Sequence, residues 1–122
     1  MTSRSSAALR ALNETRVREV NEEIARANRR FGSAPNEQGL AFHVLCECGT
    51  RGCAELLDVE AAAFEAVRTH PGRFLVVAGH DLPEIERVVE RTEQFAVVEK
   101  IGAARAVAQR TDPRNPHSSS AL

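Results

Sequence analysis

Apolar positions in residues 8–31 recur at helical spacing. Val17, Val20, Ile24, Ala27 and Phe31 follow one another at steps of 3, 4, 3 and 4, which predicts one long amphipathic helix with a single apolar stripe. Glu14–Arg18 and Glu22–Arg26 are i,i+4 ion pairs in the favourable order. Ser5 or Ser6 can cap the start, and Gly32 stops the end. Such a helix spans about 36 Å at 1.5 Å per residue. The stripe is too short for a coiled-coil seam, so its C-terminal half is expected to dock on the protein's own sheet. The N-terminal half is expected to project, with residues 8–16 presenting Leu9 and Leu12 to a partner.

The pattern then changes period. Residues 32–38 (GSAPNEQ) read as a linker. Leu40–Cys46 alternates, with Phe42, Val44 and Cys46 on one face and Ala41, His43 and Leu45 on the other, which is a strand. Residues 46–53 form a Cys-rich turn, and Glu55–Val59 returns as a second short strand. Asp58 can cap a helix through about His70 with Val59, Ala63, Ala66 and Val67 inward. Pro71 ends that helix, and Pro71–Gly72 suits the centre of a type II turn. Phe74–Ala78 is a continuous apolar run and reads as a central strand closed by Gly79–His80.

Residues 81–92 fit two patterns. Leu82, Ile85, Val88 and Val89 can line a helix started at Asp81. That helix would set Glu86 against Glu90 and Arg87 against Arg91, so a hairpin is preferred. Its arms are Glu86–Arg91 and Phe95–Lys100, joined by Thr92–Gln94. A short helix over Gly102–Arg110 follows. Residues 1–7 and 112–122 are short, polar and rich in Ser, and read as frayed tails. The sum is an α+β domain at 39–111 with a small mixed sheet, a long N-terminal helix and a short C-terminal helix.

A length of 122 residues holds one domain. Aromatics are 4%, with no Trp or Tyr, which excludes a nucleic-acid surface built on stacked rings. The net charge of −1 hides an uneven distribution. Residues 1–31 carry +3, residues 32–100 carry −6 and residues 101–122 carry +2. An acidic body is a poor nucleic-acid platform, and the basic helix reads first as a solvated face. No apolar run reaches membrane-span length, and the N-terminus lacks an apolar signal core, so a cytoplasmic, reducing setting is expected.

The chemistry concentrates at His43-Val-Leu-Cys46-Glu-Cys48-Gly-Thr-Arg-Gly-Cys53. All three cysteines fall in this stretch as C-x-C-x4-C. Soft thiolates in a tight turn containing Gly49 and Gly52 suit Zn2+. Cysteines one residue apart point to opposite faces of a regular strand, so both reach one ion only if the strand ends in a knuckle. Tetrahedral closure needs a fourth ligand. The candidates are His43, His70, His80 and His117, with Glu47 or water as further possibilities. His43 faces away from Cys46 by parity. His80 ends the most apolar strand, and a parallel neighbour relation to residues 40–46 would deliver it to Cys46. His80 therefore ranks first and His43 second. A core of this size rarely supplies more than about 3–5 kcal/mol, so a metal staple is also expected on energetic grounds. No P-loop, G-x-G-x-x-G, H-E-x-x-H or G-x-S-x-G motif is present, and no catalytic residue is assigned.

Cys46-Glu-Cys48-Gly49, Cys53, Glu65-Ala-Val-Arg68, Arg73-Phe74, Gly79-His80, Glu86-Arg-Val-Val-Glu90 and Val97-Val-Glu-Lys100 together resemble a set of short uncharacterised actinobacterial proteins with a CxCG-x3-C zinc-knuckle-like motif. The resemblance covers about residues 39–110 and implies host type and domain extent. A looser likeness is to zinc ribbons and knuckles in general. The chain departs from the H-x3-C-x2-C pattern of zinc-associated anti-sigma factors, having H-x2-C-x-C instead. The expectation is a non-enzymatic, zinc-stabilised protein-interaction or regulatory module with metal ligands Cys46, Cys48, Cys53 and His80. Its expected partner is another protein, or a second copy, engaged through the N-terminal helix. The alternatives are a thiol-based redox or metal sensor on the same cysteines, and a nucleic-acid-binding regulator using the Arg-rich helix.

Overall fold

Two short antiparallel sheets carry the described part of the chain. The structure is a computed structural model that describes residues 3–31 and 41–114, with side chains over 9–30 and 42–114. The order is α1 (Ser3–Phe31), β1 (Ala41–Leu45), β2 (Leu56–Glu60), α2 (Ala61–Arg68), β3 (Arg73–Val77), β4 (Glu86–Arg91), β5 (Phe95–Lys100) and α3 (Gly102–Arg110). Strands β1 and β2 pair with Phe42 opposite Val59 and Val44 opposite Leu57. The second sheet has the order β3-β5-β4, also antiparallel. The α+β class and the helices at each end agree with the sequence reading. The single mixed sheet resolves into these two sheets, because the 46–55 excursion separates them.

The alternation of the strands sorts the core into two clusters. Phe42, Val44, Leu57, Val59, Phe64, Val67, Leu75 and Val97 pack together with Ala25 of α1, and Phe42 meets Phe64 edge to face at 5.6 Å. Phe74, Val76, Ala96 and Val98 point to the other face, against Ala108 of α3 and the sulfurs of Cys46 and Cys48. Strand β3 is thus buried on both faces, as a continuous apolar run requires. It is nevertheless an edge strand, and β5 is central. The free edge of β3 is closed by the Cys-rich segment, which supplies the missing partners.

The hairpin lies at the expected residues. The Thr92 hydroxyl accepts the N–H groups of Gln94 and Phe95 and tightens its turn, and the register shifts between Val88 and Glu90. Other expectations are corrected. Asp58 sits in β2, paired with His43, and α2 starts at Ala61 behind Glu60. Phe64, rather than Ala66, faces the core. The turn at Pro71–Gly72 closes through Arg73 N–H to His70 O, but Gly72 does not have the positive φ of a type II turn. Asp112 is buried against Arg68, so the C-terminal segment is ordered at its start. The linker at 32–38 and residues 115–122 lie outside the described residues.

The largest correction concerns α1. The helix begins at Ser3, ahead of the expected start. Its buried positions are Glu14, Arg18, Asn21, Glu22 and Ala25, one helical face that is almost wholly polar. The expected apolar stripe is not the docking face. Val20 is 44% exposed, Ala27 is exposed, Val17 and Ile24 are half-buried, and the side chain of Phe31 lies outside the described set. The inward polar groups are paired, with only Arg18 Nε lacking a hydrogen-bond partner among the described residues. Glu14 meets Lys100, which also holds Glu86. Arg18 donates to Pro71 O and Ala108 O at 2.7 Å each and lies 4.2 Å above the Phe74 ring. Glu22 binds Arg68 and Arg114. The N-terminal half therefore does not project: Arg10, Asn13 and Glu14 rest on the domain. Among the described residues, no helix is long and apolar enough to cross a membrane.

Candidate metal centre

Strand β1 runs one residue beyond its ladder and then turns. Cys46 N–H donates to Glu55 O at 2.8 Å, the last bond between the two arms. The chain next crosses to the bare edge of β3. Glu47 N–H donates to Leu75 O at 2.8 Å, and Leu75 N–H donates back to the Glu47 carboxylate at 2.9 Å. Val77 N–H donates to Cys46 Sγ at 3.2 Å. A carboxylate and a thiol thus take the place of strand carbonyls. Gly49 then reverses the chain at φ +74°. A Cβ there would lie 2.5 Å from Glu14 Cγ and 2.9 Å from Arg10 O, so both the conformation and the close approach of α1 require glycine. Thr50 N–H donates to Cys48 Sγ, and Cys53 N–H to Thr50 O, completing a knuckle.

The fourth residue arrives from β3. Gly79, at φ +94°, turns the chain so that His80 N–H donates to Val77 O at 2.8 Å and the ring swings over the knuckle. Its Nδ1 lies 3.5 Å from Cys46 Sγ and 3.8 Å from Cys53 Sγ. The ligand atoms of Cys46, Cys48, Cys53 and His80 all lie within 4.8 Å of one another, close enough to bind one metal ion. A tetrahedron with metal–sulfur bonds of about 2.3 Å and a metal–nitrogen bond of about 2.0–2.1 Å has S···N edges of about 3.6 Å, close to the two observed. The other imidazole nitrogen faces the Glu55 carboxylate at 3.9 Å, beyond hydrogen-bond distance.

The site is graded from inside to outside. Cys46 and Cys48 are buried, whereas Cys53 and His80 are half-buried. Burial and the neighbouring Cys48 push the Cys46 thiol up, against the opposing N–H of Val77. Burial also raises Cys48, but hydrogen bonds involving Thr50, His80 and Cys53 outweigh it and bring this thiol down to about 7. Burial holds Glu47 above the ordinary carboxylate range despite its hydrogen bonds from Asn21 and Leu75. Its oxygens accept from those two donors, and the group of converging ligand atoms comprises Cys46, Cys48, Cys53 and His80 without it.

Of the residues named from sequence, the three cysteines and His80 come together. The parallel neighbour relation does not hold, because the 46–48 segment passes β3 antiparallel, but Cys46 still meets the C-terminal end of that strand. His43 is exposed on the outer face of β1 and pairs with Asp58. His70 is exposed in the turn after α2, and His117 lies outside the described residues. Sequence reasoning missed the residues of α1 that hold the knuckle. Arg10 donates to Cys48 O and Thr50 Oγ1, and Asn13 to Gly49 O. Asn21 donates to Leu45 O and to Glu47, and accepts from Leu45 N–H. Asparagine is a weak helix former, so Asn13 and Asn21 in a helix interior carried a signal of tertiary use.

Comparison with protein-family models, curated proteins and solved structures finds no match.

Proposed function

We propose that Cys46, Cys48, Cys53 and His80 hold one Zn2+ as a structural staple in a non-enzymatic protein-interaction or regulatory module. The observation that carries this reading is the convergence of three thiols and one imidazole within 4.8 Å. Three soft sulfurs and a nitrogen gathered this closely suit zinc better than the oxygen-seeking cations. Four protein donors leave no open position for substrate or water, which is the mark of a structural site. The ion would close the free edge of β3 and join the two sheets, so its binding energy would be folding energy. Leu9 and Leu12 on the outer face of α1, 48% and 45% exposed, support the helix as the partner-facing element.

The nucleic-acid reading is weakened by Arg10 and Arg18, which turn inward and are used by the domain itself. The sensor reading draws support from the half-buried Cys53, which gives an oxidant access to one thiolate of the set. A single experiment separates staple from sensor. Zinc is measured on protein prepared without chelator, before and after mild peroxide. One equivalent retained under peroxide supports the staple. Release of zinc with formation of a disulfide supports the sensor. A folded protein without metal removes the staple and the metal-dependent sensor, and leaves only a metal-free thiol switch.

A further inference from the structure

We infer that the metal knuckle is also the latch for the N-terminal part of α1, so that metal occupancy decides whether residues 9–14 lie on the domain or come off it. This rests on the zinc reading above and adds a regulated element to it.

The contacts of this segment point almost entirely at the knuckle. Arg10 Nη1 donates to Cys48 O at 3.2 Å and to Thr50 Oγ1 at 3.4 Å. Asn13 Nδ2 donates to Gly49 O at 3.3 Å. Gly49 carries no side chain where Glu14 and Arg10 press on it. The remaining anchor is the Glu14–Lys100 pair, and Lys100 keeps Glu86 without it. The large apolar side chains of the segment, Leu9 and Leu12, are half exposed and contribute little to the docking. The segment is therefore held by two backbone carbonyls and one hydroxyl of the knuckle, with the Glu14–Lys100 pair at its C-terminal end as the further anchor. The carbonyls and the hydroxyl all belong to the loop between ligands Cys48 and Cys53, which reverses through positive-φ glycines at 49 and 52. With metal bound, both ends of that loop are tied to one ion. Without it, the carbonyls are free to move, and hydrogen bonds of this kind are lost once the geometry relaxes.

The rest of α1 has anchors of its own. Arg18 is fixed to Pro71 O, Ala108 O and the Phe74 ring, Glu22 to Arg68, and Ala25 to the core. Release therefore stops near Arg18. It uncovers the inner polar face of residues 10–14 together with the carbonyls of Cys48 and Gly49, and leaves a stretch of helix of about four turns, marginal in water once it is undocked. Coupling between two binding events is reciprocal, so undocking the helix must weaken metal binding by the same factor.

The test uses the full chain, loaded with zinc and then stripped with a chelator, and follows amide hydrogen exchange. Expected is a rise of about tenfold or more in exchange at residues 9–14 on stripping, with residues 96–98 of β5 little changed. Unaltered exchange at 9–14 overturns the latch. Parallel acceleration at 9–14 and 96–98 also overturns it, since the metal would then be a global staple only. As a second arm, Asn13→Ala and Arg10→Ala touch no ligand atom and should each lower zinc affinity several-fold in competition with a chromogenic chelator, while Leu12→Ala leaves it unchanged. Unchanged affinity in both variants contradicts the latch. A chain that takes up no zinc at all sinks the zinc reading and the latch with it, whereas zinc uptake without coupling sinks the latch alone.

Discussion

Asn21 and Leu45 exchange a pair of hydrogen bonds as two strand residues would. Leu45 N–H donates to Asn21 Oδ1 at 2.8 Å, and Asn21 Nδ2 donates to Leu45 O at 2.9 Å. The second Nδ2 proton goes to the buried Glu47 carboxylate at 2.8 Å. One helical side chain thus satisfies the end of β1 and the residue between two of the clustered cysteines. Asn21→Leu keeps the volume but leaves those groups unpaired. A loss of about 2–3 kcal/mol is expected in urea unfolding of the zinc-loaded protein. A loss below about 0.5 kcal/mol would show that water replaces the amide at no cost.

Glycine 49 separates two effects that usually travel together. Gly49 and Gly52 both have positive φ, but only Gly49 has a neighbour where a Cβ would go. Gly52→Ala carries backbone strain alone, about 1–2 kcal/mol. Gly49→Ala carries the same strain and pushes against Glu14 and Arg10 of α1. Thermal unfolding should place Gly49→Ala clearly below Gly52→Ala. Equal melting temperatures would mean that α1 does not press on the knuckle.

Lys100 is buried between Glu14 and Glu86, at 2.5 and 2.6 Å. Lys100→Met leaves two buried carboxylates facing each other, and a cost of about 3–5 kcal/mol is expected at pH 7. The pH dependence has a definite sign. Burial already raises Glu14, Lys100 counters that rise, and Glu86 adds to it. Without Lys100 the folded-state value climbs further above the unfolded one. Stability from such a group is present below the unfolded value and is lost as pH rises through the folded value. The deficit of Lys100→Met relative to the parent should therefore be smaller at pH 4 than at pH 7. A deficit that grows on acidification contradicts the assignment.

Two histidines near the cysteines in sequence differ in what they can do. His43 pairs with Asp58 on the exposed face of β1, whereas His80 Nδ1 sits 3.5 Å from Cys46 Sγ. His80→Ala should lose zinc to a competing chelator much faster than the parent, and His43→Ala should match the parent. The reverse order would move the fourth ligand to His43.

What the sequence disclosed follows the range of the interactions involved. The hairpin of 86–100 and the helix of 102–110 were legible because like-charge spacing and alternation are local signals. The cluster of Cys46, Cys48 and Cys53 was legible because a knuckle needs its donors close in sequence, and strand parity alone set His43 aside. The docking face of α1 was not legible. Its apolar residues pointed to one stripe, but Glu14, Arg18, Asn21 and Glu22 are buried instead. Their partners Lys100, Pro71, Leu45 and Arg68 are remote in the chain. A polar residue reads as solvated until its partner is known. The same reason hid the edge position of β3, since Glu47 and Cys46 complete its ladder with one backbone N–H and two side-chain acceptors rather than with a strand.

The central claim is a zinc ion on three sulfurs and one nitrogen, and X-ray absorption at the zinc edge measures that shell directly. The account predicts one zinc per chain, with three sulfur scatterers at about 2.3 Å and one nitrogen at about 2.0–2.1 Å, the nitrogen giving way to another scatterer in His80→Ala. A shell dominated by oxygen, or a folded chain with no zinc at its edge, would contradict it.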